Sequence, residues 1–161
     1  MTHEPRQIRS IDIDIDAPAE TVWKVLIDFA HYARWNSFTP RIGTLLPPND
    51  PIGTPLRLFV PSMKGADAAE FFTHYLRVFD RPRHLAWEHP PEPLSMHLTR
   101  RDQYLETLLS GGCRYWSTDT FFGETADALY ARHGDWVQRG LDTIAVELKA
   151  EAERIAHTAI E

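Results

Sequence analysis

Ile11-Asp12-Ile13-Asp14-Ile15-Asp16-Ala17-Pro18-Ala19-Glu20-Thr21-Val22-Trp23-Lys24-Val25-Leu26 reads as a strand that runs directly into a helix. Isoleucine at every second position is the period-two pattern of a half-buried strand, with Ile11, Ile13 and Ile15 on a core face and Asp12, Asp14 and Asp16 in water. The aspartates could also be read as cation ligands, but simple alternation on an outward face accounts for them. Pro18 suits the first position of a helix, where its missing N–H is not needed. Asp16 or Ala17 would cap that helix, and Glu20 sits near the positive end of its dipole. Val22, Val25, Leu26 and Phe29 recur at helical spacing. A second short helical piece is expected over His31–Trp35, closed by Ser37-Phe38-Thr39-Pro40.

Beyond this unit the pattern is strand-like for some eighty residues. Strands are expected at Arg41–Leu46, Pro55–Val60, Glu70–Phe79, His84–His89, Met96–Leu109 and Cys113–Phe122. Pro47, Pro48, Pro51, Pro55 and Pro61 border the first two and keep their edges from pairing further. Ser62–Ala69 is small and polar, hence a loop. Arg81-Pro82-Arg83 is a turn, and Pro90-Pro91-Glu92-Pro93 a rigid loop. Ser110-Gly111-Gly112 makes a hairpin in which glycine supplies positive φ. From about Asp127 the period becomes 3.6. Val137, Leu141, Ile144, Leu148, Ala152, Ile155 and Ala159 then form one apolar stripe, with Glu147, Lys149, Glu151, Glu153 and Arg154 on the wet side. The fold class is α+β: a curved antiparallel sheet of about seven strands around a long C-terminal helix, with two short helices after the first strand. One domain over residues 7–160 is expected, preceded by a loose tail at residues 1–6.

The composition narrows function. The chain has 161 residues, is 43% hydrophobic and carries a net charge of −6. An acidic surface repels nucleic acid and offers no basic patch to anionic membranes. Cys113 is the only cysteine, so neither an internal disulfide nor a thiolate zinc cluster can form. The first residues lack the apolar core of a signal peptide, and no run approaches a membrane span; a cytoplasmic location is the expectation. There is no P-loop or Gly-x-Gly-x-x-Gly. His84, His89 and His97 lie close in sequence, but strand parity puts His84 and His89 on opposite faces, and no native metal or other cofactor is expected.

The order of elements resembles the START-like helix-grip superfamily (SRPBCC), and within it the polyketide cyclase/dehydrase and lipid-binding group. The residues that carry the resemblance are Ile15-Asp16-Ala17-Pro18-Ala19-Glu20-Thr21-Val22-Trp23 and Tyr32-x-x-Trp35-Asn36-Ser37-Phe38. Pro82-x-x-Leu85-Ala86-Trp87, Gly111-Gly112-Cys113-Arg114, Phe121-Phe122-Gly123 and Leu148-Lys149-x-x-x-Glu153 complete it. Together they span nearly the whole chain, and they are specific for the fold, not for a reaction. Two positions depart from the group: Gln103 stands where an apolar residue is common, and Cys113 where Thr is usual. The resemblance implies a cavity between helix and sheet, with Trp35, Asn36 and Phe38 in the segment that gates it.

Parity then nominates the cavity wall. Phe72, His74, Leu76 and Val78 are the more apolar set of their strand. Leu85 shares a face with Trp87, and Gln103 with Leu105. Tyr115, Ser117, Asp119 and Phe121 share another. Phe59 and Trp136 are added to the wall. His74 is either a proton-transfer group, with Tyr115 and Asp119 as partners, or a pocket histidine satisfied by a neighbour. Cys113 lacks an identifiable base and reads as a passive thiol.

Three functions fit. The first is binding of a hydrophobic, aromatic or polycyclic small molecule, with cyclisation or dehydration by His74, Tyr115 and Asp119. The second is a non-catalytic carrier or sensor. The third is a protein-interaction module like the chaperone-activating relatives of the fold, which would need a large exposed apolar patch. A monomer and a homodimer are both compatible with the sequence.

Overall fold

The computed structural model describes residues 4–61, 71–89 and 98–158. Its elements are β1 (Arg6–Arg9), β2 (Ile13–Ile15), α1 (Ala19–Ile27), a 3₁₀ segment (Phe29–Arg34), β3 (Arg41–Gly43), β4 (Pro55–Phe59), β5 (Phe71–Asp80), β6 (His84–Glu88), β7 (Leu98–Thr107), β8 (Cys113–Phe122) and α2 (Ala126–Thr158). The strands form one eight-stranded sheet in the order β1-β8-β7-β6-β5-β4-β3, and β2 also pairs with β8. Every pairing is antiparallel. This is the helix-grip arrangement: α2 packs against β8, β1, β2 and α1. The expected loops Ser62–Ala69 and Pro90–Pro93, with Glu70, Met96, His97 and Ala159, lie outside the described residues. No helix among the described residues is long and apolar enough to cross a membrane.

The opening strand differs from its expected form. It is two strands, and Arg6, expected in the tail, already pairs with Phe121 in β1. The break lies at Ser10. Its N–H donates to the Ser117 carbonyl at 2.9 Å, but its hydroxyl, not a backbone carbonyl, accepts the Ser117 N–H at 2.9 Å. The ladder therefore kinks, and Ile11 turns outward to 43% exposure, its N–H held by Asp142 Oδ1 at 2.8 Å. Ile8 takes the buried place that Ile11 was expected to fill. The three aspartates do face outward, each beside a basic side chain: Asp12 with Arg9, Asp14 with Arg114, Asp16 with His157.

Pro18 is the N-cap of α1, one position earlier than expected, in an extended conformation and with no side-chain cap. Its carbonyl accepts the Thr21 and Val22 N–H groups. A second departure is a bulge in β5. Leu76 pairs with Trp87 but Val78 pairs with Ala86, so Arg77 is extra. An extra residue reverses parity. Phe79 rather than Val78 faces the core, its ring edge-on to Trp23 at 5.1 Å.

The apolar stripe of α2 is buried from Leu129 to Ala152. Beyond that the buried side passes through Ala156, and Ile155 is exposed. Lys149 anchors this end by donating to the Asp14 carbonyl at 2.8 Å, and Glu153 accepts the Asp16 N–H at 2.9 Å. In the β7–β8 hairpin, Gly111 has a φ of 92°, which favours glycine. A Cβ on Gly112 would lie 2.5 Å from the Ile15 carbonyl oxygen. Only glycine lets β2 approach this turn.

Candidate functional site

The curved sheet and α2 enclose a cavity of about 190 Å³. Alternation along β4, β5, β6 and β8 supplies its apolar wall from Leu58, Phe72, Trp87 and Phe121. Phe38 covers it from the loop before β3, and Trp136 from α2. Phe38 and Trp136 touch, with ring centroids 5.1 Å apart.

Among the described residues, eight polar side chains interrupt this wall. Arg101 on β7 is only 13% exposed in its side chain and Asp119 on β8 12%. They are cross-strand partners, and the guanidinium donates from Nε to Oδ1 at 2.7 Å and from Nη2 to Oδ2 at 2.9 Å. Such a bidentate pair satisfies most of a desolvated carboxylate while leaving further guanidinium N–H groups for other acceptors. His74 on β5 is the third. Its Nδ1 is buried with no partner among the described residues. Burial lowers its pKa to about 3, with the neighbouring Arg101 and His89 acting the same way. The imidazole is therefore neutral at physiological pH. His89, just after β6, meets it edge-on at 5.6 Å, and His133 of α2 joins the lining.

Among the expected site residues, the cavity gathers Phe38, Phe72, His74, Trp87, Asp119, Phe121 and Trp136. Others lie behind its wall. Tyr115 is fully buried, donates to Gln103 Oε1 at 2.8 Å, and burial pushes its phenol up. Leu76, Leu105 and Ser117 are buried with them but do not line the cavity. Trp35 packs edge-on to Tyr32 at 4.8 Å, in the core. Asn36 holds the loop, its Oδ1 accepting the Thr39 N–H at 2.7 Å. Phe59 has the opposite parity to Leu56 and Leu58 and is outside the lining.

Arg101 and His89 were not among the expected residues, although parity reaches both. Arg101 is two positions before Gln103 and His89 two after Trp87, on the same faces. An arginine is rarely buried inside a sheet, and pairing with Asp119 makes the position tolerable. His84 is on the outer face, with Nε2 2.7 Å from Asp102 Oδ1 and its ring stacked on Tyr104. Among the described residues no three His, Cys, Asp or Glu side chains converge as metal ligands.

The curved antiparallel sheet and the long C-terminal helix define a helix-grip fold with a cavity between them. The chain belongs to the polyketide cyclase/dehydrase and lipid transport family, whose profile matches residues 9–153. It is similar in structure to the Zhui aromatase/cyclase of a Streptomyces species, with 20% identity, a TM-score of 0.72, and 94% of this chain and 95% of that one covered. A protein of Thermus thermophilus gives 12% identity and a TM-score of 0.70 over 94% and 99% of the two chains. The di-domain ARO/CYC protein BexL gives 17% identity and a TM-score of 0.65; 94% of this chain is covered but only 50% of that one, so the chain spans half its length. No curated protein sequence matches the chain.

Proposed function

We propose that the cavity binds a small aromatic molecule bearing a carbonyl, enol or phenol oxygen, and promotes its cyclisation or dehydration. The observation that carries this reading is the enclosed Arg101–Asp119 pair set in an aromatic wall beside a neutral His74. Aldol-type cyclisation moves negative charge onto oxygen twice: when a carbon acid becomes an enolate, and when the enolate attacks a carbonyl to leave an alkoxide. Loss of water then needs a proton on that oxygen. Guanidinium N–H groups held in place by Asp119 stabilise such an oxygen without reorganisation. A neutral imidazole accepts a proton at one nitrogen and donates at the other. Aromatic walls fold the substrate so that its reacting carbons meet. In this scheme His74 carries the proton, Arg101 binds the oxygen, and Asp119 positions Arg101.

One observation favours the carrier reading instead. His74 is a weak base at a pKa of about 3, and both Asp119 oxygens are taken. Native mass spectrometry of the freshly purified protein, with extraction of any bound compound, tests both. A discrete added mass of a small aromatic compound supports the cavity reading. Conversion of that compound by the wild type, slowed about a hundredfold or more in His74→Ala, supports the enzyme. Binding without turnover supports the carrier. A clean apo mass together with no binding of phenol or naphthol overturns both.

A further inference from the structure

Gly140 lies inside α2 and is buried, in a position where alanine forms helix better. Nothing in the helix itself asks for glycine there. Phe38 does: a Cβ on Gly140 would lie 2.6 Å from both Cδ2 and Cζ of the Phe38 ring, and nearer still to Cε2. The ring rests directly on the helix backbone. Phe38 also lines the cavity, and Gly140 does not.

We propose that Gly140 and Phe38 together set the depth of the cavity on its α2 side and so limit how large a ring system it takes there. This rests on the ligand-binding reading above and adds the residues that set ligand size.

The ring has nowhere else to go. The Ser37 N–H and hydroxyl donate to Glu147 Oε1 at 3.1 and 2.7 Å, tying the loop to α2. Asn36 Oδ1 holds Thr39 on the other side of Phe38. Trp136 flanks the ring, and the Arg101 guanidinium carbon lies 5.9 Å from its centroid. A methyl group at position 140 therefore pushes the ring into the cavity. A smaller side chain at position 38 extends the cavity toward the helix backbone.

The test is isothermal titration calorimetry with phenol, naphthol and anthrol on the wild type, Gly140→Ala, Phe38→Leu and the double variant, each first shown to melt cooperatively. The wild type is expected to bind phenol and naphthol. Gly140→Ala should weaken naphthol by about tenfold or more while phenol changes by less than about threefold. Phe38→Leu should raise the anthrol-to-phenol affinity ratio by about tenfold, and adding it to Gly140→Ala should restore naphthol. An unchanged naphthol-to-phenol ratio in Gly140→Ala, or an unchanged anthrol-to-phenol ratio in Phe38→Leu, overturns the size filter and leaves the ligand-binding reading standing. Should Gly140→Ala not fold, the anthrol result for Phe38→Leu decides alone. Absence of binding by every probe to the wild type overturns the ligand-binding reading, and the filter with it.

Discussion

Arg101 and Asp119 face each other across β7 and β8 and are joined by two charge-assisted hydrogen bonds, Nε to Oδ1 at 2.7 Å and Nη2 to Oδ2 at 2.9 Å. Both are largely removed from water. Removing one partner from such a pair leaves a buried charge uncompensated, whereas removing both replaces it with apolar surface. Arg101→Leu is therefore expected to destabilise the fold by about 3 kcal/mol. Arg101→Leu/Asp119→Leu should recover to within about 1 kcal/mol of the wild type. Urea unfolding of the three proteins checks this. A double variant as unstable as the single one would show that the pair contributes net stability.

His74 makes stability depend on acidity. Its folded pKa of about 3 lies below the ordinary 6.5, so between these values the unfolded chain binds the proton that the folded chain refuses. Stability from this group is complete above pH 6.5 and is lost as pH falls toward 3. Going from pH 7 to pH 5 should cost about 2 kcal/mol through this residue alone. Urea midpoints at the two pH values, compared between the wild type and His74→Gln, isolate it. An equal pH dependence in both proteins would refute the assignment.

Gly111 and Gly112 should fail differently when changed to alanine. A Cβ at Gly111 meets nothing within 4 Å, and its cost is that of a φ of 92°, about 1–2 kcal/mol. A Cβ at Gly112 strikes the Ile15 carbonyl, so β2 must shift. Hydrogen exchange of the Ile13–Ile15 amides should speed up in Gly112→Ala and not in Gly111→Ala. Equal protection in both variants would contradict this.

Cys113 is buried, and its thiol is pushed up to about 11 by burial. Ellman's reagent at pH 8 should react with the folded protein at least about a hundredfold more slowly than with the protein in urea. Rapid labelling of the native protein would mean that this end of β8 opens easily.

Much of the fold is legible because period and turn chemistry act locally. Gly111-Gly112 marks the hairpin, and Leu141, Ile144 and Leu148 mark α2, without reference to anything distant. The misread elements depend on partners far away in the chain. Ser10 breaks the first strand because its hydroxyl meets the backbone of Ser117. The bulge at Arg77 shows only when β5 is laid against β6. The site follows the same division. His74, Trp87 and Phe121 follow from alternation, whereas an arginine at position 101 faces inward only because Asp119 awaits it on the next strand. Gly140 is unremarkable in sequence until Phe38 is laid on it.

The bulge in β5 also divides that strand between two duties. Before Arg77, Phe72 and His74 serve the cavity; after it, Phe79 braces Trp23 and the helix that carries it. Because parity is reset between the two halves, ligand preference can drift at positions 72 and 74 while the brace stays in place. The strand thus has a built-in separation between what selection can vary and what it must keep.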